Sequence, residues 1–461
     1  MKTTIINLLS VFLLLNSLNI YSQQKNSLFE FREIQEAIEN GTRTRQGIPG
    51  NRYWQNSSDY EIVATLDIEN NRLEGYSTIK YHNNSPDSLR GLLMRIYQDL
   101  YDKGNPRNEP IPAETLHDGV IIDSLKINDV TYIKNNIPEP RKITRYSTLL
   151  YVQLNNLIKK GATAKIEIAW KFNIPDGFKA SLDRMGRYRN AVFMGLWYPQ
   201  IAVYDDISGW DDLPHLGTME FYNDFNNYDV VINVPEGYMV WATGECMNLN
   251  EVLNEKIIRR FELAKTTDTI IDIIKREDYN EGVVKGNRWH FRADHVPDFA
   301  FATAPDYLWQ GTSVITDKQS SRRVLLDIAS PNDSLYNFKS LNVFRSAITW
   351  ASDSFPGVPF PYEHSTIFLN GSKNKGSMEY PMLVNNSSYM FRALHHAVIV
   401  HESYHCYMPF YMGFNETRYM WMDEGFTNFN EHKFTGDGIS LQAADMASYP
   451  QLAGKLADYP L

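Results

Sequence analysis

With 461 residues, 43% of them hydrophobic and 13% aromatic, the chain can bury a large core and is neither disordered nor of low complexity. A net charge of −10 without a long basic run argues against a nucleic-acid partner. Two cysteines, Cys246 and Cys406, cannot staple a chain of this size, so a disulfide scaffold is excluded.

Residues 1–22 read as an export signal. Lys2 supplies the positive start, Leu8, Leu9, Val11, Phe12, Leu13, Leu14 and Leu15 the apolar centre, and Ser22 the small residue before a polar run. Asn7, Asn16 and Asn19 break the apolar stretch, which falls short of the roughly 20 residues that span a bilayer. The expected protein is therefore exported, periplasmic or extracellular, with no stable membrane insertion once the signal is removed. Residues 23–58 form an N-terminal extension.

From Tyr60 to about Leu308 the dominant period is two. Ile62, Ala64, Leu66 and Ile68 alternate with Glu61, Val63, Thr65 and Asp67, and the same rhythm returns at Ile166–Ile174 and Val230–Val234. Polar turns such as Asn83-Asn84-Ser85-Pro86 and Pro235-Glu236-Gly237 separate the runs, which predicts an antiparallel β domain over 59–310. The period then changes. Leu335, Phe338, Leu341, Phe344, Ile348, Ala351 and Phe355 fall at helical spacing before Pro356-Gly357, a short strand follows at Thr366–Leu369, and a strongly apolar helix begins near Phe391. The fold class is α+β, with a mixed α/β region over 311–461.

That last helix carries His401-Glu402-Ser403-Tyr404-His405. Residues four apart share a helix face, so both imidazoles can reach one ion, and Glu402 lies about 100° around the helix, beside the metal, where a base acting on water belongs. Two buried histidines satisfied by backbone carbonyls would fit the same five residues. A third ligand decides between the two readings, because catalytic zinc generally has three protein ligands and one open position. Glu424, in Met422-Asp423-Glu424-Gly425-Phe426, is the candidate, at a distance that lets a second helix return beside the first.

Together with that context, His401-Glu402-x-x-His405-x18-Glu424 resembles the zinc aminopeptidases of the membrane alanyl aminopeptidase and leukotriene hydrolase type. Gly376-Ser377-Met378-Glu379-Tyr380 is similar to the family's Gly-x-Met-Glu-Asn exopeptidase loop, with Tyr380 where asparagine is usual. Leu66-Asp67, Leu73-Glu74-Gly75 and Asp298-Phe299-Ala300-Phe301-Ala302 look like its N-terminal saddle domain. The resemblance covers about residues 60–435. It implies a β saddle or sandwich followed by a thermolysin-like catalytic domain, one zinc ion on His401, His405 and Glu424, and Glu402 as the base. It further implies that Glu379 fixes the free amine of a peptide substrate, while Gly376, Ser377 and Met378 line the substrate's backbone. The family's oxyanion tyrosine lies farther downstream than this chain reaches, and the only tyrosines after Glu424 are Tyr449 and Tyr459, so a truncated catalytic domain is expected. A metalloendopeptidase and a catalytically impaired zinc-binding fragment acting as a peptide-binding protein are the alternatives.

Other features read as structural. His395-His396 points away from the zinc face. Asp205-Asp206 and Asp211-Asp212 lack calcium-loop spacing, Cys406 is a buried small hydrophobe, and Trp197 and Trp210 are core or rim aromatics; Asn428, one turn past Glu424, is placed to support the ligands but reads as a solvated helix residue.

Overall fold

The computed structural model describes residues 31–179, 184–331, 340–373, 375–388 and 391–436. The expected signal segment, Tyr449 and Tyr459 lie outside the described residues. The chain divides into two compact units, residues 1–55 with 204–209 and residues 56–203 with 210–461. In the described part of the smaller unit, a helix at Arg32–Glu39 leads into a segment tied by Arg43, whose Nε and Nη2 donate to Asp206 at 2.8 and 2.6 Å. Trp54 stacks on Tyr204 at 5.8 Å.

Among the described residues of the larger unit, a nine-stranded sheet runs in the order Glu245–Cys246, Arg288–Val296, Asn226–Asn233, Ser57–Asp67, Arg72–His82, Thr163–Asn173, Ile121–Ile127, Val130–Lys134, Ile137–Pro138. The period-two runs of the sequence become its central strands. Along Ser57–Asp67 the burial alternates residue by residue, with Tyr60, Ile62, Ala64 and Leu66 inside and Val63 outside. All these pairings are antiparallel except one, the parallel pairing of Ser57–Asp67 with Asn226–Asn233. Alternation reports which face of a strand is buried, not the direction of its neighbour, and these two strands meet only after a long excursion of the chain. Trp170, Trp197, Phe299 and Phe301 close edge-to-face behind the sheet, and the Trp197 indole donates to the Phe299 carbonyl at 2.8 Å.

A five-stranded sheet follows, ordered Ile271–Ile274, Tyr307–Asp317, Arg322–Pro331, His364–Lys373, Leu383–Ser388, with the last two pairings parallel. A helix at Ser340–Asp353 covers one face of it; the predicted positions Leu335 and Phe338 lie outside the described residues. Leu341, Phe344 and Ile348 pack there with Val324, Leu326, Ile328, Ile367, Leu369 and Val384, and with Ile399 and Tyr404 of the next helix, Arg392–Tyr404. That shared core fixes the Arg392–Tyr404 helix against the sheet. The class is α+β. No helix among the described residues is long and apolar enough to cross a membrane.

Candidate metal centre and substrate pocket

The Arg392–Tyr404 helix ends at the site it builds. His401 sits in its last turn, and His405 just past its end keeps helical torsions (φ −56°, ψ −20°), so the two rings still face one another with centroids 5.0 Å apart. A second helix, Met420–Thr435, packs alongside and brings in Glu424, whose Oε2 lies 3.2 Å from His401 Nε2. One ligand atom from each of His401, His405 and Glu424 falls within 4.8 Å of the other two. His405 Nε2 is buried without a hydrogen-bond partner, as are His117 Nε2 and His215 Nε2, but of these only at His405 do two further donor atoms converge. Two imidazole nitrogens and a carboxylate oxygen at this separation are a donor set that fits a zinc ion.

The nitrogens facing away from that centre are also held. His401 Nδ1 is 3.3 Å from Glu431 Oε2. His405 Nδ1 is 2.7 Å from Asp423 Oδ1, with Met408 O at 3.2 Å and Thr427 Oγ1 at 3.3 Å. Such partners fix ring orientation and ligand basicity. The sequence reading passed over Asp423, Thr427 and Glu431. Helical spacing could have found them: Glu431 follows Glu424 by two turns, and Asp423, Thr427 and Asn430 form the buried stripe of the same helix. Asn428 is exposed.

Burial alone would push His401 down, but Glu424 and Glu431 reverse this and hold it up at about 9, above its ordinary 6.5. Burial opposes the charge of Glu424 too, yet His401 keeps its carboxyl down at about 2. In the metal-free protein His401 thus gains stability when charged, fully present below about pH 6.5 and lost as the pH rises toward 9. Metal binding must displace that proton. Zinc added to metal-free protein at neutral pH is therefore expected to release protons, and its apparent affinity to climb between pH 6.5 and 9. Calorimetry in two buffers of different ionisation enthalpy measures this, and buffer-independent heats would contradict it.

Glu402 is buried beside the rings with Oε2 unpartnered, and burial lifts its carboxyl to about 7. Glu379 comes from the segment that returns along the edge strand Leu383–Ser388. Met378 N–H donates to the Asn385 carbonyl and Asn385 N–H to the Met378 carbonyl, each at 2.8 Å; Ser377 Oγ donates to Asn386 Oδ1, and Ser387 Oγ to the Lys375 carbonyl at 2.7 Å. Gly376 is exposed and Met378 buried. The segment thereby becomes the outer edge of the sheet and points Glu379 inward, where its oxygen groups with ligand atoms of Glu402 and His405 within 4.8 Å. Burial raises the Glu379 carboxyl well above its usual range. Further acids converge from other parts of the chain: Glu220, whose oxygen groups with those of Glu379 and Asp423, and Glu416, buried with Oε2 unpartnered. Arg184 pairs with Glu220. Nothing in the local sequence around Glu220, Glu416 or Arg184 marks them, because they reach the site only through packing.

Tyr380 turns away from the pocket. Its ring is buried against Phe193 and Phe221, at 5.6 and 6.0 Å, and its hydroxyl donates to the Arg184 carbonyl at 3.2 Å. It fills the space a side chain at position 195 would need: a Cβ on Gly195 would fall on the Tyr380 ring. Gly195→Ala is expected to cost about 1–3 kcal/mol through overpacking. A thermal melt checks this, and an unchanged Tm would show that the ring moves aside freely.

The remaining features are structural. His395 Nε2 is 2.9 Å from Ser340 Oγ, and burial lowers the ring to about 4. Asp211 pairs with the buried Arg95. Burial lifts the Cys406 thiol to about 11, so it stays protonated. Trp197 lies in the core, and Trp210 packs on Leu93, Leu149 and Ala202.

No protein-family model and no curated protein matches the sequence. Solved structures do. A crystal structure of M1 zinc metallopeptidase from Deinococcus radiodurans is 12% identical, with a TM-score of 0.50. A two-domain M1 zinc metallopeptidase, a glutamate-to-alanine mutant bound to L-tryptophan, is 12% identical with a TM-score of 0.52. The Deinococcus radiodurans mutant bound to a Tyr-Ser-Ala substrate is 12% identical with a TM-score of 0.51. Each similarity covers 88% of this chain and 77% of the other. The chain has the fold of these M1 zinc metallopeptidases.

Proposed function

We propose that this protein is an exported zinc aminopeptidase, with a β-rich domain over 59–310 and a catalytic domain over 311–461, that removes the first residue of peptides. The observation that carries the reading is a buried carboxylate with an unpartnered oxygen, Glu379, grouped within 4.8 Å of the base Glu402 and of His405. His401, His405 and Glu424 would hold one zinc ion. When bound, zinc supplies Lewis acidity, drawing the pKa of water from about 16 toward about 7 and polarising the peptide carbonyl.

The rest falls to side chains. Glu402 accepts the proton of the attacking water and delivers it to the leaving nitrogen. A peptide α-amine, with a pKa near 8, is mostly cationic at neutral pH, so Glu379 binds it as an ion pair and sets the first peptide bond beside Glu402. The backbone at the exposed Gly376 and the half-buried Ser377 would lie along the substrate as an added strand, with Met378 anchoring the segment to the sheet.

The test is metal analysis followed by hydrolysis of one peptide with its amine free or acetylated. One zinc per chain and faster, chelator-sensitive cleavage of the free-amine peptide is the expected result. Preference for the acetylated peptide would instead identify an endopeptidase, and zinc without hydrolysis a peptide-binding protein.

A further inference from the structure

We propose that Arg184 is the positioning residue of the amine pocket: it neutralises Glu220 and braces the chain on both sides of Glu379, leaving Glu379 as the carboxylate that meets the substrate's ammonium group. This rests on the aminopeptidase reading and adds the residue that makes its pocket selective.

Three buried carboxylates, Glu220, Glu379 and Asp423, bring an oxygen each within 4.8 Å of one another. Carboxylates that close repel one another, so each is steadied by a cationic neighbour. Asp423 has His405, at 2.7 Å. Glu220 has Arg184, whose Nη1 donates to Oε2 at 3.0 Å and Nη2 to Oε1 at 3.2 Å, a two-point pairing of two side chains that are both less than one-tenth exposed. Glu379 shares the His405 ring, grouping with it within 4.8 Å, but makes no ion pair of its own, and its Oε1 is buried without a hydrogen bond. A cation paired to Glu379 alone would come from outside, and a peptide ammonium has the right size and charge.

Arg184 also touches the chain on either side of Glu379. Nη1 contacts Met378 Sδ, and the Arg184 carbonyl accepts the Tyr380 hydroxyl at 3.2 Å. The guanidinium is itself immobilised, lying 4.6 Å over the Phe221 ring while Nη2 donates to the Met219 carbonyl at 3.2 Å. The side chain therefore sets the charge beside Glu379 and holds Met378, while the main chain of the same residue holds Tyr380.

The experiment uses the full, zinc-loaded chain with a free-amine peptide and its N-acetylated form, comparing wild type with Arg184→Lys, Arg184→Met, Glu220→Gln and the Arg184→Met/Glu220→Gln pair. Arg184→Met is expected to keep one zinc and to raise KM for the free-amine peptide about tenfold, the loss of a charge-assisted contact, with kcat little changed and no effect on the acetylated peptide. Arg184→Lys, which keeps the charge, should fall between. The double variant should recover much of the KM, because the stranded carboxylate is gone as well. If Arg184→Met does not fold, Glu220→Gln reads the same coupling: the freed guanidinium turns to Glu379, competes with the amine and raises KM. Equal losses on both peptides, or an unchanged KM in Arg184→Met, overturn the inference while leaving the aminopeptidase reading standing. A wild-type enzyme indifferent to acetylation overturns both.

Discussion

Glu402→Gln should bind one zinc per chain and lose about a thousandfold in kcat, within the 10²–10⁴ range that a positioned acid–base group contributes. The glutamine keeps the shape of a side chain that is only 7% exposed, so the histidines stay in place, but it cannot take a proton. The carboxyl is held high, at about 7, because burial penalises its charge. A base must be ionised to act, so wild-type kcat/KM should rise with pH through this group's pKa, which a nearby zinc cation draws below that value. In Glu402→Gln that acid limb should vanish with the activity. Metal content and kcat, measured on the same sample, decide the matter. A variant that keeps zinc and more than about a tenth of the wild-type kcat would remove Glu402 from the chemistry.

His405→Ala should lose zinc altogether and the metal-free fold should weaken too. The ring is fully buried, and its two nitrogens do different work: Nε2 is unpartnered and faces the centre, while Nδ1 lies 2.7 Å from the equally buried Asp423. Although burial opposes its charge, the surrounding carboxylates, Glu379 and Asp423 foremost, raise the ring's pKa well above the usual histidine range, so the metal-free protein holds it as a cation at neutral pH. Removing it strands a buried carboxylate, a loss of about 3–5 kcal/mol. By the sign of the shift, that stabilisation is complete below about pH 6.5 and declines as the pH rises through the raised value, so the variant should suffer most in neutral and mildly acidic buffer. Asp423→Asn/His405→Ala should regain part of the loss in the metal-free melt and none of the zinc. A single variant that retains stoichiometric zinc would dismantle the proposed ligand set.

The parts of the centre legible in the sequence are those whose geometry a single helix dictates. Four residues make about one turn, so His401 and His405 had to share a face, and Glu402 had to lie beside them. Glu424 was legible for a related reason, since the chain between it and His405 has room for one turn and a return helix. The β region was legible strand by strand, because burial on one face writes itself into a period of two, as it does along Ser57–Asp67. The partner strand and its direction were not legible, and the parallel neighbour Asn226–Asn233 is the instance.

What the sequence by itself determined, then, is the local arrangement: two imidazoles and a carboxylate on neighbouring helices, a second glutamate one step from the first ring, and a third in a glycine-containing loop at the edge of a sheet. Tertiary structure alone decided the electrostatics around them. Arg184 and Met378 lie 194 positions apart, and Arg184 and Glu220 36 apart, yet each pair touches. No spacing rule reaches across such intervals, because the contact depends on how whole sheets and helices pack. Charge makes those contacts matter, since in a buried pocket neighbouring carboxylates repel one another, and only the folded chain shows which cation steadies each.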